Sequence, residues 1–346
     1  MMVSDDPKER RVHGQHLAGT EARGGQASPL LAVLDLGTNN CRLLIAAPAA
    51  PGHRGLSEFK VVDSFSRIVR LGEGVGRTGL LSPAALDRTI DALKVCAEHI
   101  GRHKITRQRA IATQAARLAG NSDVLIARAR AEAGIEIDVI SADEEADLAA
   151  LGCAPLIGRR YRGALVFDIG GGSTEIIWLE KTPQGPRKRL SVSVPVGVVS
   201  LAEHYGDAAR DRAGFESMCA AMRDRFSAFA AEMGEAFDPR KFHLLGTSGT
   251  VTTLSAIALK LPRYIRSRVD GSWHETRHMM TVVNRLADKD MKALAAIGSI
   301  GPERSDLMLP GCAIFAAICE LWPSPMLRVA DRGLREGMLR QLAETL

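Results

Sequence analysis

Apolar residues near the start of the chain cluster in short runs, and a longer helical pattern follows them. The runs predict three strands, at residues 31–36, 41–46 and 59–69. A helix is predicted from residue 83 to about residue 101, because Ser82 is a favourable N-cap and proline is favoured at the first helical position. The first 28 residues are polar and lack such a pattern, so we expect a disordered tail there.

Strands and helices alternate after this helix. Strands are predicted at residues 109–113 and 137–140, and helices at residues 122–133 and 143–151. Three consecutive strands followed by alternating helices and strands are typical of an α/β layer fold with a mixed sheet.

The strand pattern restarts in the second half of the chain. In both copies an apolar strand ends in Asp-x-Gly, at Asp35-Leu-Gly37 and at Asp168-Ile-Gly170, and a turn of small residues leads into a second apolar strand. Each copy also has a charged residue seven positions after its aspartate, Arg42 in the first and Glu175 in the second. A repeat of this kind predicts two similar domains.

The repeat sets the expected domain boundaries. We assign residues 29–152 to an N-terminal domain and residues 153–346 to a C-terminal domain, with the connection near residues 151–162. The last helix, at about residues 333–346, is expected to pack back on the first domain.

Glycine-rich turns at the strand ends are candidate anion-binding sites. Gly170, Gly171 and Gly172 lack side chains, which permits close approach of backbone N–H groups and positive φ angles. One such hairpin by itself is more often a tight turn with a structural aspartate. Two matching copies that face each other across a cleft would hold a phosphate chain from both sides, with Asp35 and Asp168 placed for Mg²⁺.

A third glycine-rich turn, Gly246-Thr-Ser-Gly249, lies between a predicted strand at residues 242–245 and a predicted helix at residues 250–259. Backbone N–H groups at a helix N-terminus bind anions, so the turn is a candidate phosphate or ribose site. It is not a Walker A loop, because no Gly-Lys-Ser/Thr follows the first glycine at the required spacing.

Two histidine patterns are weak candidates for metal sites. His274-Glu-Thr-Arg-His278 fits the HExxH pattern of zinc proteases, but turn residues precede it where that pattern requires a helix. His99 and His103 are four residues apart at a helix end, where a polar C-terminal face is the simpler interpretation. We therefore expect no zinc site.

Composition narrows the class of protein. The chain has 346 residues, of which 46% are hydrophobic, and a formal net charge of +5. Aromatic residues make up only 4%, which argues against base-stacking nucleic-acid modules. No apolar run approaches the ~18 residues of a membrane span. Six scattered cysteines without a CxxC pair favour free thiols in the cytosol.

Ordered motifs along the chain resemble those of a known family. The paired Asp-x-Gly hairpins resemble the actin, sugar-kinase and heat-shock chaperone ATPase superfamily. Within it, the sequence is similar to the exopolyphosphatase / guanosine pentaphosphate phosphohydrolase family over residues 30–340 or so. The motifs that carry the resemblance lie at residues 70–74, 79–82, 112–117, 140–146, 168–175, 246–250 and 303–306. The resemblance implies an α/β fold with two repeated actin-like (ribonuclease H-like) ATPase domains flanking a cleft.

The resemblance also implies roles for individual residues. Glu145 matches a carboxylate that activates the attacking water, Glu175 a catalytic carboxylate that binds Mg²⁺ or orients water, and Arg117 an arginine that contacts phosphate oxygens. The Mg²⁺ ion would be held by Asp35, Asp168 and Glu175. The phosphate-binding residues would be Gly37, Thr38, Asn39, Arg117, Gly170, Gly171, Gly172, Ser173, Gly246, Thr247, Ser248 and Gly249. Taken alone, Glu145, Glu175 and Arg117 would each be a solvent-exposed residue.

The expected function is an exopolyphosphatase that removes the terminal phosphate of inorganic polyphosphate with Mg²⁺. Hydrolysis of the 5′-phosphate of guanosine pentaphosphate at the same site is the first alternative. A kinase or ATPase of the same superfamily and a non-catalytic polyphosphate sensor are further alternatives. Several basic clusters suit a long polyanion, and few aromatic residues are available to stack a guanine, so polyphosphate is favoured. We expect a cytoplasmic homodimer that binds neither nucleic acid nor membranes.

Overall fold

The computed structural model describes residues 28–49 and 58–346, so the expected disordered tail lies, except for its last residue, outside the described residues. The strands are β1 (Leu30–Leu36), β2 (Asn40–Pro48), β3 (Phe59–Ile68), β4 (Ile105–Ala112), β5 (Asp138–Val139), β6 (Gly163–Ile169), β7 (Thr174–Thr182), β8 (Gly185–Val194), β9 (Phe242–Thr247), β10 (Trp273–Glu275) and β11 (Met326–Val329).

The helices are α1 (Val75–Thr78), α2 (Pro83–Gly101), α3 (Gln114–Leu118), α4 (Ser122–Arg128), α5 (Ala142–Cys153), α6 (Val198–Tyr205), α7 (Arg212–Met233), α8 (Gly249–Ala258), α9 (Arg266–Val269), α10 (Thr276–Ala287), α11 (Met291–Ala295), α12 (Ser305–Leu321) and α13 (Leu334–Glu344). Among the described residues, no helix is both long and apolar enough to cross a membrane.

The strands form two mixed sheets of similar construction. The first has the order β3-β2-β1-β4-β5 and the second the order β10-β11-β9-β6-β7-β8. In each sheet an antiparallel three-strand meander is joined by a parallel strand beside its first member, β4 beside β1 and β9 beside β6. The repeat and the mixed α/β architecture predicted from the sequence are therefore confirmed.

Several element boundaries differ from the predicted ones. The helix after Ser82 is confirmed with its cap, since the Ser82 hydroxyl accepts from the Ala85 N–H at 3.2 Å. The helix predicted at residues 122–133 is α-helical only to Arg128 and continues as a π-helical turn. Strand β4 begins four residues earlier than predicted, because the three residues after Ile105 are polar and exposed and so interrupt the apolar signal.

Each sheet is covered on one face by helices from its own half of the chain. Side chains of β1 and β2, such as Leu34 and Leu43, pack with Ile90 and Leu93 of α2 in one buried cluster. In the second half, β6 packs with α7 and α12 in a larger cluster that includes Phe167, Phe226 and Phe315.

The other face of each sheet is covered by a helix from the other side of the sequence repeat. Helix α5 precedes the second sheet along the chain, yet Ala146 and Ala149 pack with Val166 and Ile177 of that sheet. Helix α13 follows the second sheet, yet Leu334 and Met338 pack on the first sheet around β1. Helices α5 and α13 therefore exchange sheets and contact each other between them.

Two glycines allow α5 and α13 to cross at very short range. A Cβ atom at Gly152 would lie 2.0 Å from the carbonyl oxygen of Gly333, and one at Gly337 would lie 2.0 Å from that of Leu148. No side chain can occupy such a space, so the absence of a Cβ at these positions fixes the distance between the two helices.

Candidate active site

The two Asp-x-Gly hairpins are built alike. The Gly37 N–H donates to the Asn40 carbonyl at 2.9 Å, and the Gly170 N–H donates to the Ser173 carbonyl at the same distance. In the ladders, Asp35 pairs with Arg42 and Asp168 pairs with Glu175. The charged residue seven positions after each aspartate therefore lies directly opposite it across the hairpin.

The two turns are in contact, and the cleft is the narrow region where they meet. A Cβ atom at Gly171 would lie 3.0 Å from the Cβ of Thr38, and one at Gly172 would lie 2.7 Å from the Thr38 hydroxyl. These glycines serve close approach only, because none of Gly170, Gly171 and Gly172 has a positive φ angle. Of the two properties that glycine permits, this turn uses the close approach and not the positive φ angle.

Three carboxylates lie close together at the cleft: Asp168 on β6, Glu175 on β7 and Glu145 on α5. Glu175 is only 2% exposed, accepts from the Ser193 hydroxyl at 2.8 Å, and has a pKa raised by burial. Burial and the nearby charge of Glu175 raise the pKa of Asp168 to about 7. The same two causes raise the pKa of Glu145 to about 8. Glu175 is thus an interior residue and not an exposed strand residue.

Glu145 is held at the start of α5 by local helix geometry. The Ser141 hydroxyl caps the helix by accepting from the Glu144 N–H at 3.1 Å, and the Glu145 N–H donates to the Ser141 carbonyl at 3.0 Å. Glu144 turns outward to Arg109 at 2.5 Å, whereas Glu145 turns into the cleft. Without the family resemblance, the sequence predicts a solvent-exposed Glu145. The side chain of Glu145 is only 13% exposed, so that prediction is wrong.

Arg117 is the direct partner of Glu145. Its Nη1 donates to Glu145 Oε2 at 2.7 Å and to the Ile140 carbonyl at 2.9 Å, while Nη2 donates to Gln114 Oε1 at 2.7 Å. These three bonds fix the guanidinium and, through it, one carboxylate oxygen of Glu145. Arg117 is therefore not a loose surface arginine.

Asp35 lies on the first hairpin with two cations close to it. Burial raises the pKa of Asp35, and the positive charges of Arg42 and Arg335 oppose that rise. Arg42 also lowers the pKa of Asp168 across the cleft, so its charge acts on both hairpins.

The third glycine-rich turn takes part in core packing and in hydrogen bonds within the protein. A Cβ at Gly246 would lie 2.5 Å from the Phe167 ring, so this glycine serves core packing. The Thr247 hydroxyl donates to the Arg332 carbonyl at 2.9 Å. Ser248 has a φ of 101°, which is rare for a residue with a side chain, and its buried hydroxyl has no hydrogen-bond partner among the described residues. Gly249 lies beside the Arg304 side chain.

Residues 69–75, which we call the strap, wrap around the first glycine turn and reach the second half of the chain. The N–H groups of Arg70 and Gly72 donate to the carbonyls of Asn39 and Thr38 at 3.0 and 2.9 Å. The Arg70 guanidinium then pairs with Asp306 at 3.2 Å. The Gly74 N–H donates to Glu203 Oε1 at 2.9 Å. The strap thereby connects the two halves at the mouth of the cleft.

The histidine patterns form no metal site. His274 lies on β10 and His278 lies on α10, so the HExxH residues do not lie on one helix. The Nε2 atom of His274 forms hydrogen bonds with the hydroxyls of Ser255 and Ser272. His99 and His103 both approach Asp63, at 2.7 and 3.4 Å. Within residues 28–49 and 58–346, no group of three or more His, Cys, Asp or Glu side chains is arranged to hold a metal ion.

Sequence reasoning missed three contributors to the site. Arg42 was noted only as a charged residue of the repeat, although its position opposite Asp35 was the available signal. Arg335 gave no local signal, because helix packing far along the chain brings it to the cleft. Arg70 and Asp306 each lie in a motif of the resemblance, but their contact with each other was not predicted.

Comparisons with known proteins agree with this geometry. The sequence model of the Ppx/GppA phosphatase family matches residues 49–346. The chain is 31% identical over 329 residues to exopolyphosphatase 2 of Mycobacterium tuberculosis, which covers 90% of this chain and 98% of that protein. The solved structure of the Aquifex aeolicus Ppx/GppA family member has a TM-score of 0.75 with 26% identity, over 92% of this chain and 99% of that one. The solved structure of an exopolyphosphatase-like protein has a TM-score of 0.80 with 25% identity, over 91% of this chain and 99% of that one.

Two repeated actin-like domains with facing glycine turns and a gathered set of carboxylates define a phosphoanhydride hydrolase. Within that class, the chain belongs to the Ppx/GppA phosphatase family. The family and the fold expected from the sequence motifs are confirmed.

Proposed function

We propose that the protein is a Mg²⁺-dependent exopolyphosphatase that removes the terminal phosphate of inorganic polyphosphate. One observation carries the proposal: the Arg117–Glu145 ion pair stands beside the buried Glu175 and Asp168 where the two glycine turns meet. The named activity of the mycobacterial relative supports the same substrate.

The residues suit an in-line attack by water on a phosphoanhydride. Glu145, with a pKa of about 8, is close to the working pH at which a general base is most effective. It would orient a water and accept its proton as the water oxygen bonds to the terminal phosphorus. The bond from that phosphorus to the bridging oxygen breaks, and the shortened chain leaves with that oxygen. Arg117 keeps the Glu145 carboxylate in place during this step.

The carboxylates also fit a divalent cation. Mg²⁺ is usually bound by one or two carboxylates together with substrate phosphates and waters, so a complete protein ligand set is not required. Asp168 and Glu175 pair across one hairpin, and burial raises the pKa of both, which leaves their negative charge poorly compensated. One or two carboxylates of the set Asp35, Asp168 and Glu175 would bind the ion together with phosphate oxygens and waters, and the ion would neutralise phosphate charge when bound.

A parallel assay tests the proposal. Phosphate release would be measured with polyphosphate, guanosine pentaphosphate and ATP, with Mg²⁺ or with EDTA. We expect the highest kcat/KM for polyphosphate, loss of activity in EDTA, and recovery on adding Mg²⁺. Full activity in EDTA would refute the metal requirement, and a preference for ATP would indicate a nucleotide-dependent enzyme instead.

Guanosine pentaphosphate is the second candidate substrate. The strained Ser248 turn opens α8 and lies next to Asp168 through the β6–β9 ladder, a position suited to a nucleotide's phosphates or ribose. Polyphosphate stays the first choice because a guanine is usually held by aromatic stacking, and aromatic residues are only 4% of the chain.

We also propose that the protein is a cytoplasmic homodimer without nucleic-acid or membrane partners. The six cysteines are buried and unpaired, which suits a reducing compartment. The exposed side chains of Leu80, Leu118 and Val124 are candidates for an interface between copies. Light scattering after size-exclusion chromatography would give twice the chain mass if the dimer forms and the chain mass if it does not.

A further inference from the structure

We propose that Arg335, on the first turn of α13, binds a phosphoryl group of the substrate at the floor of the cleft. The inference rests on the proposed function, because it takes the bound ligand to be a phosphate chain. It assigns a binding role to a residue of the last helix, which lies outside both Asp-x-Gly hairpins and outside the third glycine turn.

The packing of α13 places Arg335 near the reacting groups. Leu334 and Met338, on either side of it along the helix, pack on β1, the strand that carries Asp35. Gly333, two residues before Arg335, approaches the Asp168 carboxylate and the Thr247 hydroxyl. Arg335 and Asp35 act on each other electrostatically, since each charge shifts the pKa of the other group. The first turn of α13 therefore lies close to both Asp35 and Asp168.

Arg335 is not engaged by the protein itself. Among the described residues, its guanidinium makes no hydrogen bond and no ion pair, even though Asp35 and Glu336 are near. Glu336 is occupied elsewhere, since it accepts from Arg266 at 2.9 Å and from the Gly333 N–H at 2.9 Å. By contrast, the Arg340 guanidinium on the same helix donates to Glu58 and to the Leu151 carbonyl.

The partly buried guanidinium of Arg335 has no partner in the part of the chain that the structure describes, so its donors are available to a ligand. Burial lowers the pKa of Arg335, yet a guanidinium stays protonated at any working pH and presents five N–H donors. Its planar fork matches two oxygens of one phosphoryl group. The surrounding cleft is where a phosphate chain has to enter. A phosphate oxygen is thus the ligand whose charge and geometry best satisfy Arg335.

A binding measurement separates this role from catalysis. Methylenediphosphonate, a diphosphate that cannot be hydrolysed, would be titrated calorimetrically into the full-length protein at fixed Mg²⁺. We expect Arg335→Gln to weaken its binding about 10- to 100-fold, which is typical of losing a hydrogen bond to a charged group. Arg335→Lys keeps the positive charge but loses the planar guanidinium. Its Kd for methylenediphosphonate should lie between those of Arg335→Gln and the parent. With polyphosphate, Arg335→Gln should raise KM more than it lowers kcat.

Arg340→Gln is the matched control, because it removes an arginine of the same helix that is bonded within the protein. It should lower the melting temperature and leave the Kd for methylenediphosphonate unchanged. A parent-like Kd in folded Arg335→Gln or Arg335→Lys, or an equal loss in Arg340→Gln, would overturn the proposal. If the parent binds the diphosphonate but releases no phosphate from polyphosphate, the proposed function fails while the binding role of Arg335 is still decided.

Discussion

The carboxylates at the cleft are destabilised in their charged form, because they are buried and lie close to one another. Asp35, Glu145, Asp168 and Glu175 all have raised pKa values, and burial is the first cause in each case. The ion pair with Arg117 opposes this effect at Glu145 without cancelling it. Such an arrangement is expensive for folding, and it is typical of sites where the charge is used on a substrate.

The first prediction concerns Glu145. Glu145→Gln keeps the side-chain volume but cannot accept a proton, so kcat should fall ~10²–10⁴-fold, the usual contribution of a general base. KM should change little. Glu144→Gln is the control, because the neighbouring carboxylate pairs with Arg109 outside the cleft. Steady-state phosphate release gives kcat and KM for each variant. An equal loss of kcat in the two variants would contradict the role of Glu145.

The second prediction concerns a buried histidine far from the cleft. His243 is fully buried, donates from Nδ1 to the Leu244 carbonyl and accepts from the Gly158 N–H at 3.1 Å. Burial lowers its pKa to about 4. As pH falls below ~6.5, the unfolded chain takes up this proton before the folded protein does, so stability declines between pH 6.5 and 4. The contribution of His243 is up to about 3 kcal/mol.

His243→Asn should therefore flatten the pH dependence of stability in that window. Urea unfolding at several pH values between 4.5 and 7.5 measures the free energy of unfolding of variant and parent. Comparison with the parent cancels the other titrating groups, and the value at pH 7.5 gives the separate cost of the lost hydrogen bonds. Parallel curves for variant and parent would show that His243 is not kept neutral by burial.

The sequence indicated some site residues and not others, for a physical reason. Glu145 and Glu175 stand within short motifs whose chemistry and position are local, so a resemblance could identify them. Arg335 reaches the cleft only because α13 packs on β1, about three hundred residues away along the chain. Long-range packing leaves no spacing signal beside the residue itself, and the role of Arg335 became visible only in three dimensions.

At the scale of elements, the crossing of α5 and α13 gives the third prediction. A methyl group at Gly337 would meet the Leu148 carbonyl at 2.0 Å, so Gly337→Ala has to push the helices apart. We expect a loss of about 1–3 kcal/mol or more, as for other overpacked sites. Gly101→Ala is the control, because a Cβ there would meet nothing within 4 Å. Thermal unfolding that ranks the two variants equally would contradict the close crossing.

Elements with a strong local pattern were predictable, and elements defined by their neighbours were not. The helix after Ser82 has a cap, a proline and a regular apolar face, and it forms as expected. Arg107 and Gln108 of β4 are polar and exposed, and they belong to a strand because β1 pairs with them in parallel. Helix α12 is continuous through Pro310, which a sequence argument would treat as a break, because it is buried against other helices on most sides.

At the scale of the whole molecule, the strap joins the two halves and gives the fourth prediction. The Arg70–Asp306 pair is partly exposed, so Asp306→Asn should cost at most about 1 kcal/mol of global stability. Hydrogen exchange within residues 69–75 should nevertheless accelerate about two- to fivefold, because the pair holds the strap closed. Glu320→Gln removes a similarly exposed pair with Arg223 inside the second half and serves as the control. Unchanged exchange in the strap of Asp306→Asn would show that the pair does not hold it.

The exchange of helices between the two sheets also bears on how the chain is made. A ribosome delivers β1, β2 and β4 long before it delivers α13, which covers one face of those strands with Leu334, Met338 and Leu339. During synthesis of the intervening two hundred or so residues, that apolar face has only part of its native cover, from Leu148 of α5. We therefore expect the nascent first sheet to expose apolar surface to chaperones until α13 has been synthesised and packs on it.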